Sequence, residues 1–317
     1  MTRAFVFPGQ GAQTIGMGRA LAEAYPQAKA VFDEVDEALG ESLSTLIWEG
    51  DQEALTLTQN AQPALMATSL AAMRALEAEG VTIAAAAYVA GHSLGEYSAL
   101  AAAGALTVAD TARLLRTRGQ AMQEAVPVGV GAMAALLGLD FETASKVAKE
   151  AAQGAKGDEI CQAANDNDPT QVVISGHKDA VEHAVELAKE RGAKRAVMLP
   201  VSAPFHCALM LPAAEVMAEA LSHVNIERPA VPLVANVRAI GLSDPTTIRS
   251  LLVEQVTGAV RWRESVSWMG AHGVDEIWEI GAGKALSGMI RRINKEIATR
   301  QVGTPDEVKA AVDHIAL

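Results

Sequence analysis

Between residues 84 and 106 the chain reads AAAAYVAGHSLGEYSALAAAGAL. Ala84 to Ala90 is a short apolar run that suits a buried parallel strand. Glu96 to Leu106 is rich in Ala and Leu, carries an acid in its first turn and reads as a helix. Gly91-His92-Ser93-Leu94-Gly95 joins the two, and Gly-x-Ser-x-Gly between a strand and a helix is the nucleophile-elbow pattern. Such a turn is so tight that only Gly tolerates the close approach at its flanks. It lifts Ser93 to the positive end of the helix, where backbone N–H groups face a developing oxyanion. A glycine-bracketed turn with an ordinary Ser is the plainer interpretation of five residues, and the strand and helix around them favour the elbow.

The chain has 317 residues, a length that predicts two domains or one large domain with an insertion. Half its residues are hydrophobic and 20% are charged, enough to bury a substantial core. A formal net charge of −12 argues against broad binding to nucleic acid or anionic membranes. Two cysteines, Cys161 and Cys207, are too few for a disulfide framework and predict a reduced, cytoplasmic setting. MTRAFVFPGQG opens directly on a strand-like run with no signal-peptide core. Ala196 to Ala214 lacks Asp, Glu, Lys and Arg, yet Pro200, Pro204, Pro212 and His206 argue against a membrane helix there.

Short apolar strands alternate with amphipathic helices in the first part of the chain: Ala4–Phe7, helices near Met17–Tyr25 and Gln62–Glu79, then the elbow. This predicts an α/β architecture with a parallel sheet. Thr107 caps a helix running to about Val126, and Pro127-Val-Gly-Val-Gly131 marks a boundary. Beyond it come a strand (Ala132–Leu139), a helix (Glu142–Ala152), two strands (Ile160–Ala164, Val172–Ser175), a helix (Ala180–Arg191) and a strand (Lys194–Pro200). That order, βαββαβ, is the split-βαβ or ferredoxin-like plan. Residues 129–197 are therefore expected to form a small domain inserted into a larger α/β domain of residues 1–128 and 198–317. The larger domain resumes with strands near Leu233–Asn236 and Glu276–Ile280 and a last helix near Ala285–Ile297.

Other motifs fail on inspection. Gly9-Gln-Gly11-Ala-Gln-Thr14 carries Thr where a dinucleotide fingerprint needs Gly or Ala, and Gly129-Val-Gly131-Ala-Met-Ala134 precedes a strand rather than a helix. Gly281-Ala-Gly283-Lys284 lacks the spacing and the Ser or Thr of a P-loop. Neither cysteine stands in a metal-ligand pattern, so no metal is expected. His177 and His183 read as solvated surface residues.

A serine nucleophile needs a base, usually His. His206 stands out in PVSAPFHCALMLP, a Pro-punctuated loop leaving a strand, although a His buried and hydrogen-bonded in a loop fits the same residues. His92 lies beside Ser93 but at the elbow position whose side chain turns away, so packing is its expected role.

Taken together, FVFPGQGAQ, AGHSLGEYSAL, RTRGQAMQEAVP and PFHCALM resemble the malonyl-CoA:acyl carrier protein transacylase family of type II fatty acid synthesis. The resemblance extends through NDNDPTQVVISGH, EQVTGAVRW and EIGAGKALSGMI, essentially end to end. It implies an α/β-hydrolase-like large domain with a ferredoxin-like insertion, matching the element order above. It puts the nucleophile at Ser93 and the general base at His206, with no acidic third member: the backbone carbonyl of Gln255 holds the imidazole, and a carbonyl can fix the tautomer as a carboxylate would. The oxyanion hole maps to the N–H groups of Gln10 and Leu94, and Gly9 and Gly11 let backbone come close to the acyl oxygen. Arg118 matches the arginine for the free malonyl carboxylate, which a guanidinium grips with a two-pronged fork. Asn165, Asn167 and Gln62 match pocket-lining positions. Two departures are Ala259, where Pro is frequent, and Phe205, where Ser is frequent before the base; the Phe-His order resembles malonyl-selective acyltransferase domains.

The resemblance thus implies transfer of malonyl from malonyl-CoA to the phosphopantetheine thiol of an acyl carrier protein through a malonyl-serine intermediate. Coenzyme A is part of the substrate, no cofactor is expected, and a monomer is the working expectation. Lys284, Arg291, Arg292 and Lys295 are the expected docking patch for an acidic carrier protein. The chief rival is a serine esterase or thioesterase of the same fold with water as acceptor. A buried acidic third member and no carboxylate-binding Arg would favour that rival.

Overall fold

The computed structural model describes residues 1–154, 159–201 and 203–316. Among them run ten strands: β1 (Arg3–Phe7), β2 (Tyr88–Gly91), β3 (Gly131–Leu137), β4 (Cys161–Asp168), β5 (Gln171–His177), β6 (Arg195–Met198), β7 (Leu233–Val234), β8 (Gly241–Leu242), β9 (Glu276–Ile280) and β10 (Ala298–Val302). Six of them form one sheet in the order β10-β9-β1-β2-β7-β8 and four form another in the order β4-β5-β3-β6. The larger sheet is parallel except for the β7–β8 pair, and the smaller is antiparallel throughout. The molecule is thus a mixed α/β protein built around a parallel sheet.

Burial explains the parallel sheet. Ala4 to Phe7 are completely buried and β9 is buried along its length, as strands covered by helices on both faces must be. The Thr58–Ala78 helix is apolar nearly all round and sits in the main core, where Phe5 stacks on Trp278 at 5.3 Å. In the smaller sheet the period of two divides β3, β4 and β5 between two cores. Ala132, Ala134 and Leu136 of β3 pack under the Phe141–Gly154 and Lys178–Glu190 helices, whereas Met133 and Ala135 join the main core. One face of this sheet is therefore turned toward the larger unit.

β4 is an edge strand, and the larger unit covers that edge. Asn165 bridges Val260, the Asp166 N–H donates to the Val260 carbonyl at 2.9 Å, and the Val260 N–H donates to the Ala164 carbonyl at 2.8 Å. The buried carboxylates of Asp166 and Asp168 pair with Arg263 and Arg292, each at 2.8 Å.

Several elements depart from expectation. Ala84–Ala90 is not all strand: Ile83–Ala85 form a single 3-10 turn and β2 begins at Tyr88, because Ala has little preference for the pleated surface. The helix after the elbow stops at Ala102 rather than Leu106, where Gly104 turns the chain at φ 74°. Asn165-Asp-Asn-Asp168 continues β4 although Asn and Asp disfavour strands; the Arg partners and two register shifts make it possible. Ala285–Ile293 is not the last helix, since β10 and the Pro305–Ala316 helix follow. Among the described residues no helix is long and apolar enough to cross a membrane.

Removing Arg263 leaves the Asp166 carboxylate buried without its cation. Arg263→Ala is expected to lower the unfolding free energy by about 2–3 kcal/mol, below the full cost of a broken buried pair because the acid can take up a proton. Urea titration measures this, and the loss should shrink as pH falls, since burial already pushes Asp166 above the usual carboxylate range.

Candidate active site

Phe7 at the end of β1 pairs with Gly91 at the end of β2, so the Pro8–Gly11 loop and the elbow leave neighbouring central strands together. The elbow is as tight as its glycines imply. A Cβ on Gly91 would stand 1.9 Å from the Gly95 carbonyl carbon, and one on Gly95 would stand 2.2 Å from the Phe7 oxygen. Between them Ser93 adopts φ 53°, a left-handed conformation costly for a residue with a side chain. Two side chains hold it there. Asn236 Oδ1 accepts from the Ser93 N–H at 2.8 Å, and Gln255 Nε2 donates to the Ser93 carbonyl at 2.9 Å.

His206, also left-handed at φ 59°, places Nε2 2.8 Å from Ser93 Oγ and Nδ1 2.9 Å from the Gln255 carbonyl. A carbonyl can only accept, so Nδ1 carries the proton and Nε2 is free to accept from the serine hydroxyl. Burial, with the positive charge of Arg118 next in weight, depresses the His206 pKa to about 3. The imidazole is therefore neutral at physiological pH.

Arg118 reaches the same hydroxyl. Its Nη2 donates to Ser93 Oγ at 3.1 Å and to Gln255 Oε1 at 2.8 Å, and its Nη1 donates to Gln62 Oε1 at 2.8 Å. The side chain is buried, Tyr97 lies against its guanidinium at 5.8 Å, and Nε has no partner among the described residues. Every direct partner is neutral, so this buried cation makes no ion pair with a carboxylate among the described residues. Such a group is costly to hide and is well placed to receive an anion.

Nine of the ten predicted site residues (Ser93, His206, Gln10, Leu94, Arg118, Asn165, Asn167, Gln62 and Phe205) line one cleft of about 700 Å³. Gln255 lies beneath the cleft and works from behind. The cleft runs between the two sheets, with Met133, Ala135 and Val173 of the smaller one forming a wall. Asn167 Oδ1 bonds His92 Nε2 at 2.8 Å and His92 lies against Trp262, so it packs as expected, but it also lines the cleft instead of turning away from it. Gln10 touches Thr58 Oγ1 at 3.3 Å, and Leu94 stands where the first helical N–H groups have no intrahelical acceptor.

Two residues of the site were not expected. Glu96 is buried under the elbow: Oε2 accepts from Gln255 Nε2 at 2.5 Å and Oε1 accepts from the Asn236 N–H at 3.3 Å. Asn236 in turn donates to the Gly91 carbonyl at 2.6 Å. In the sequence Glu96 reads only as a first-turn acid, and Asn236 carries no signal in VPLVANV. There is thus a buried acid beside the serine, but its oxygens go to Gln255 and Asn236, and the histidine is held by a carbonyl.

Two outlying expectations need adjustment. His177 is not simply solvated, because its Nδ1 accepts from the Ile160 N–H at 2.9 Å across the smaller sheet; His183 is exposed. Arg292 is exposed like Lys284, Arg291 and Lys295, but its guanidinium is committed to Asp168. Cys161 and Cys207 are unpaired and buried, with the Cys161 thiol pushed up to about 12 by burial.

The chain matches the acyl transferase domain family over residues 4–274. It is 48% identical over 309 residues to the malonyl CoA-acyl carrier protein transacylase of Bacillus subtilis, covering 98% of this chain and 96% of that protein. The crystal structure of acyl-carrier-protein-S-malonyltransferase from Bartonella henselae superposes with a TM-score of 0.96 at 56% identity, covering both chains completely. A malonyl-transacylase solved in complex with a type II PKS acyl-carrier protein superposes at 0.95 with 41% identity, over 99% of this chain and 100% of that one.

Glu96 and His206 pull pH stability in opposite directions. Burial raises Glu96 from an ordinary 4.5 to about 7, so the folded protein holds a proton that the unfolded chain has released, and stability is lost as pH rises from 4.5 to 7. The depressed His206 does the reverse: the unfolded chain protonates first, and stability is lost as pH falls below 6.5 toward 3. Glu96→Gln removes the first effect and leaves the second. Its unfolding free energy relative to wild type should therefore improve by a few kcal/mol between about pH 5 and about pH 8, measured by denaturant titration at each pH.

Proposed function

This chain belongs to the acyl transferase domain family, and from that premise we propose that it transfers malonyl from malonyl-CoA to the phosphopantetheine thiol of an acyl carrier protein. His206 Nε2 takes the Ser93 proton as Oγ attacks the thioester carbonyl. The tetrahedral oxyanion is held by the N–H groups of Gln10 and Leu94 at the positive end of the helix. The carbon–sulfur bond breaks, the imidazolium returns its proton to the sulfur, and coenzyme A leaves. The carrier thiol then gives a proton to His206 and attacks the malonyl ester; as the carbonyl re-forms, the bond to Ser93 Oγ breaks and the imidazolium returns that proton to Oγ, leaving free serine and neutral His206. The chemistry draws on groups this chain supplies, and coenzyme A enters as part of a substrate rather than as a cofactor.

The observation that carries this reading is Arg118, a buried guanidinium with only neutral direct partners, 3.1 Å from the nucleophile. The free carboxylate of a malonyl group is the anion such a site lacks, and Asn165, Asn167, Gln62 and Phe205 shape the pocket around it. Water as the final acceptor would give an esterase, but an esterase pocket has no use for this cation.

We read the small sheet and its two helices as a ferredoxin-like insertion, residues 129–197, in an α/β-hydrolase-like frame of residues 1–128 and 198–317. The βαββαβ order and the sheet order β4-β5-β3-β6 support the first part of this reading, and the elbow at the end of a central parallel strand supports the second. A monomer suffices, because each group used in the reaction comes from one chain, and two unpaired buried thiols suit a reducing cytoplasm. The exposed Lys284, Arg291 and Lys295, on or beside the Ala285–Ile293 helix that lends Ala285, Leu286 and Met289 to the cleft, are the docking patch we assign to an acidic carrier protein.

Arg118 should decide which acyl group is accepted. Acetyl-CoA leaves the guanidinium unpaired, so wild type should favour malonyl by up to about 10⁴-fold in kcat/KM. Arg118→Ala should lose most malonyl transfer and gain relative activity toward acetyl-CoA, and Arg118→Lys should recover little because a point charge cannot reproduce the fork. His206→Ala should slow acylation by roughly 10²–10⁴-fold. Steady-state kinetics with both thioesters checks all three, and an unchanged malonyl-over-acetyl ratio in Arg118→Ala would remove Arg118 from substrate recognition.

A further inference from the structure

Gln255 is wedged between an acid and a base. Its Nε2 faces Glu96 Oε2 at 2.5 Å and the Ser93 carbonyl at 2.9 Å, while its Oε1 faces Arg118 Nη2 at 2.8 Å. An ionised carboxylate only accepts and a guanidinium only donates, so one orientation of the amide satisfies both. Glu96 also accepts from the N–H of Asn236, whose side chain holds the Ser93 N–H. Both staples on the left-handed serine therefore lead back to one buried carboxylate. That carboxylate touches neither Ser93 Oγ nor His206, and the reaction described above does not use it.

Resting on the malonyl-transfer reading, we propose that Glu96 is a positioning residue: acting in its ionised form through Gln255 and Asn236, it holds the nucleophile and keeps Arg118 aimed at the acyl carboxylate. A protonated Glu96 can donate as well as accept. The Gln255 amide is then free to turn its oxygen toward the acid, which presents Nε2 to Arg118, a donor facing a donor. Arg118 loses one of its two amide acceptors, and the Ser93 carbonyl loses its side-chain donor, keeping only the Glu96 N–H at 3.0 Å.

The charged and titratable groups around Glu96 are Arg118 from the Val108–Glu124 helix, Tyr97 on its own helix and, across the serine, His206 and His92. Arg118 favours the ionised acid, whereas burial, the larger effect, leaves Glu96 titrating at about 7. His206 is depressed to about 3, burial lowers His92 and raises the Tyr97 phenol, so Glu96 is the group of this set that changes charge near neutrality.

The test is the single-turnover rate of serine acylation at saturating malonyl-CoA, followed by rapid quench and intact mass from about pH 5.5 to about pH 8.5. Wild type should slow as pH falls through about 7. Glu96→Gln, which keeps the shape, should be flat across this range and roughly 10²-fold below the wild-type plateau, the scale of a misplaced reacting group, with half-saturation raised because Arg118 is no longer held toward the acyl carboxylate. Glu96→Asp keeps the charge and should restore part of the rate together with the pH limb. A flat wild-type profile, or a Glu96→Gln protein with the wild-type rate and limb, overturns the proposal while leaving malonyl transfer intact. A wild type that takes up no malonyl group overturns the transfer reading, and this proposal falls with it.

Discussion

Ser93 occupies a backbone conformation that costs a residue with a side chain about 1–3 kcal/mol, and the surroundings must hold it there. The structure does so with two amide side chains, Asn236 on the N–H and Gln255 on the carbonyl. Gln255 has a second task, because its own carbonyl fixes the tautomer of His206, and a third, because its amide oxygen holds Arg118. One residue thus joins the nucleophile, the base and the cation. Moving it moves all three, which is why the site behaves as a unit rather than as separate side chains.

The cleft depends on a second constraint, the seam between the two sheets. β4 turns Asn165 and Asn167 to the cleft while Asp166 and Asp168, on the alternate positions, pair with Arg263 and Arg292 of the larger unit. The same strand therefore lines the pocket and fastens the wall that carries it. Main-chain pairing with Val260 fastens it to the larger unit, so the polar residues in the C-terminal half of this edge strand are part of the joint.

Much of this was legible in sequence. The elbow, the Thr107 cap, the βαββαβ order and the end-to-end resemblance gave nine cleft residues and the carbonyl behind the histidine. What stayed hidden depends on contacts between distant segments. The expected strand ends at Ala164, before NDND, because Asn and Asp disfavour strands and their counter-charges Arg263 and Arg292 lie about a hundred residues away. Glu96 reads as a helix-start acid because its partners Gln255 and Asn236 lie 159 and 140 residues away. Local pattern cannot report such pairs, and an acid that works by accepting from amides leaves no motif. The C-terminal β10 and final helix were missed for a plainer reason: ATRQV is short and half polar, an edge strand whose place comes from pairing with β9.

The claim on which everything else rests is that Ser93 carries the malonyl group between two thiols. Intact-mass spectrometry of the wild-type protein mixed with malonyl-CoA, followed by peptide mapping and then addition of holo acyl carrier protein, tests it directly. One malonyl group should appear on the peptide containing Ser93 and should move to the carrier protein when that is added. A protein that stays unmodified, a malonyl group on any other residue, or an adduct that leaves as free malonate whether or not carrier protein is present would contradict it.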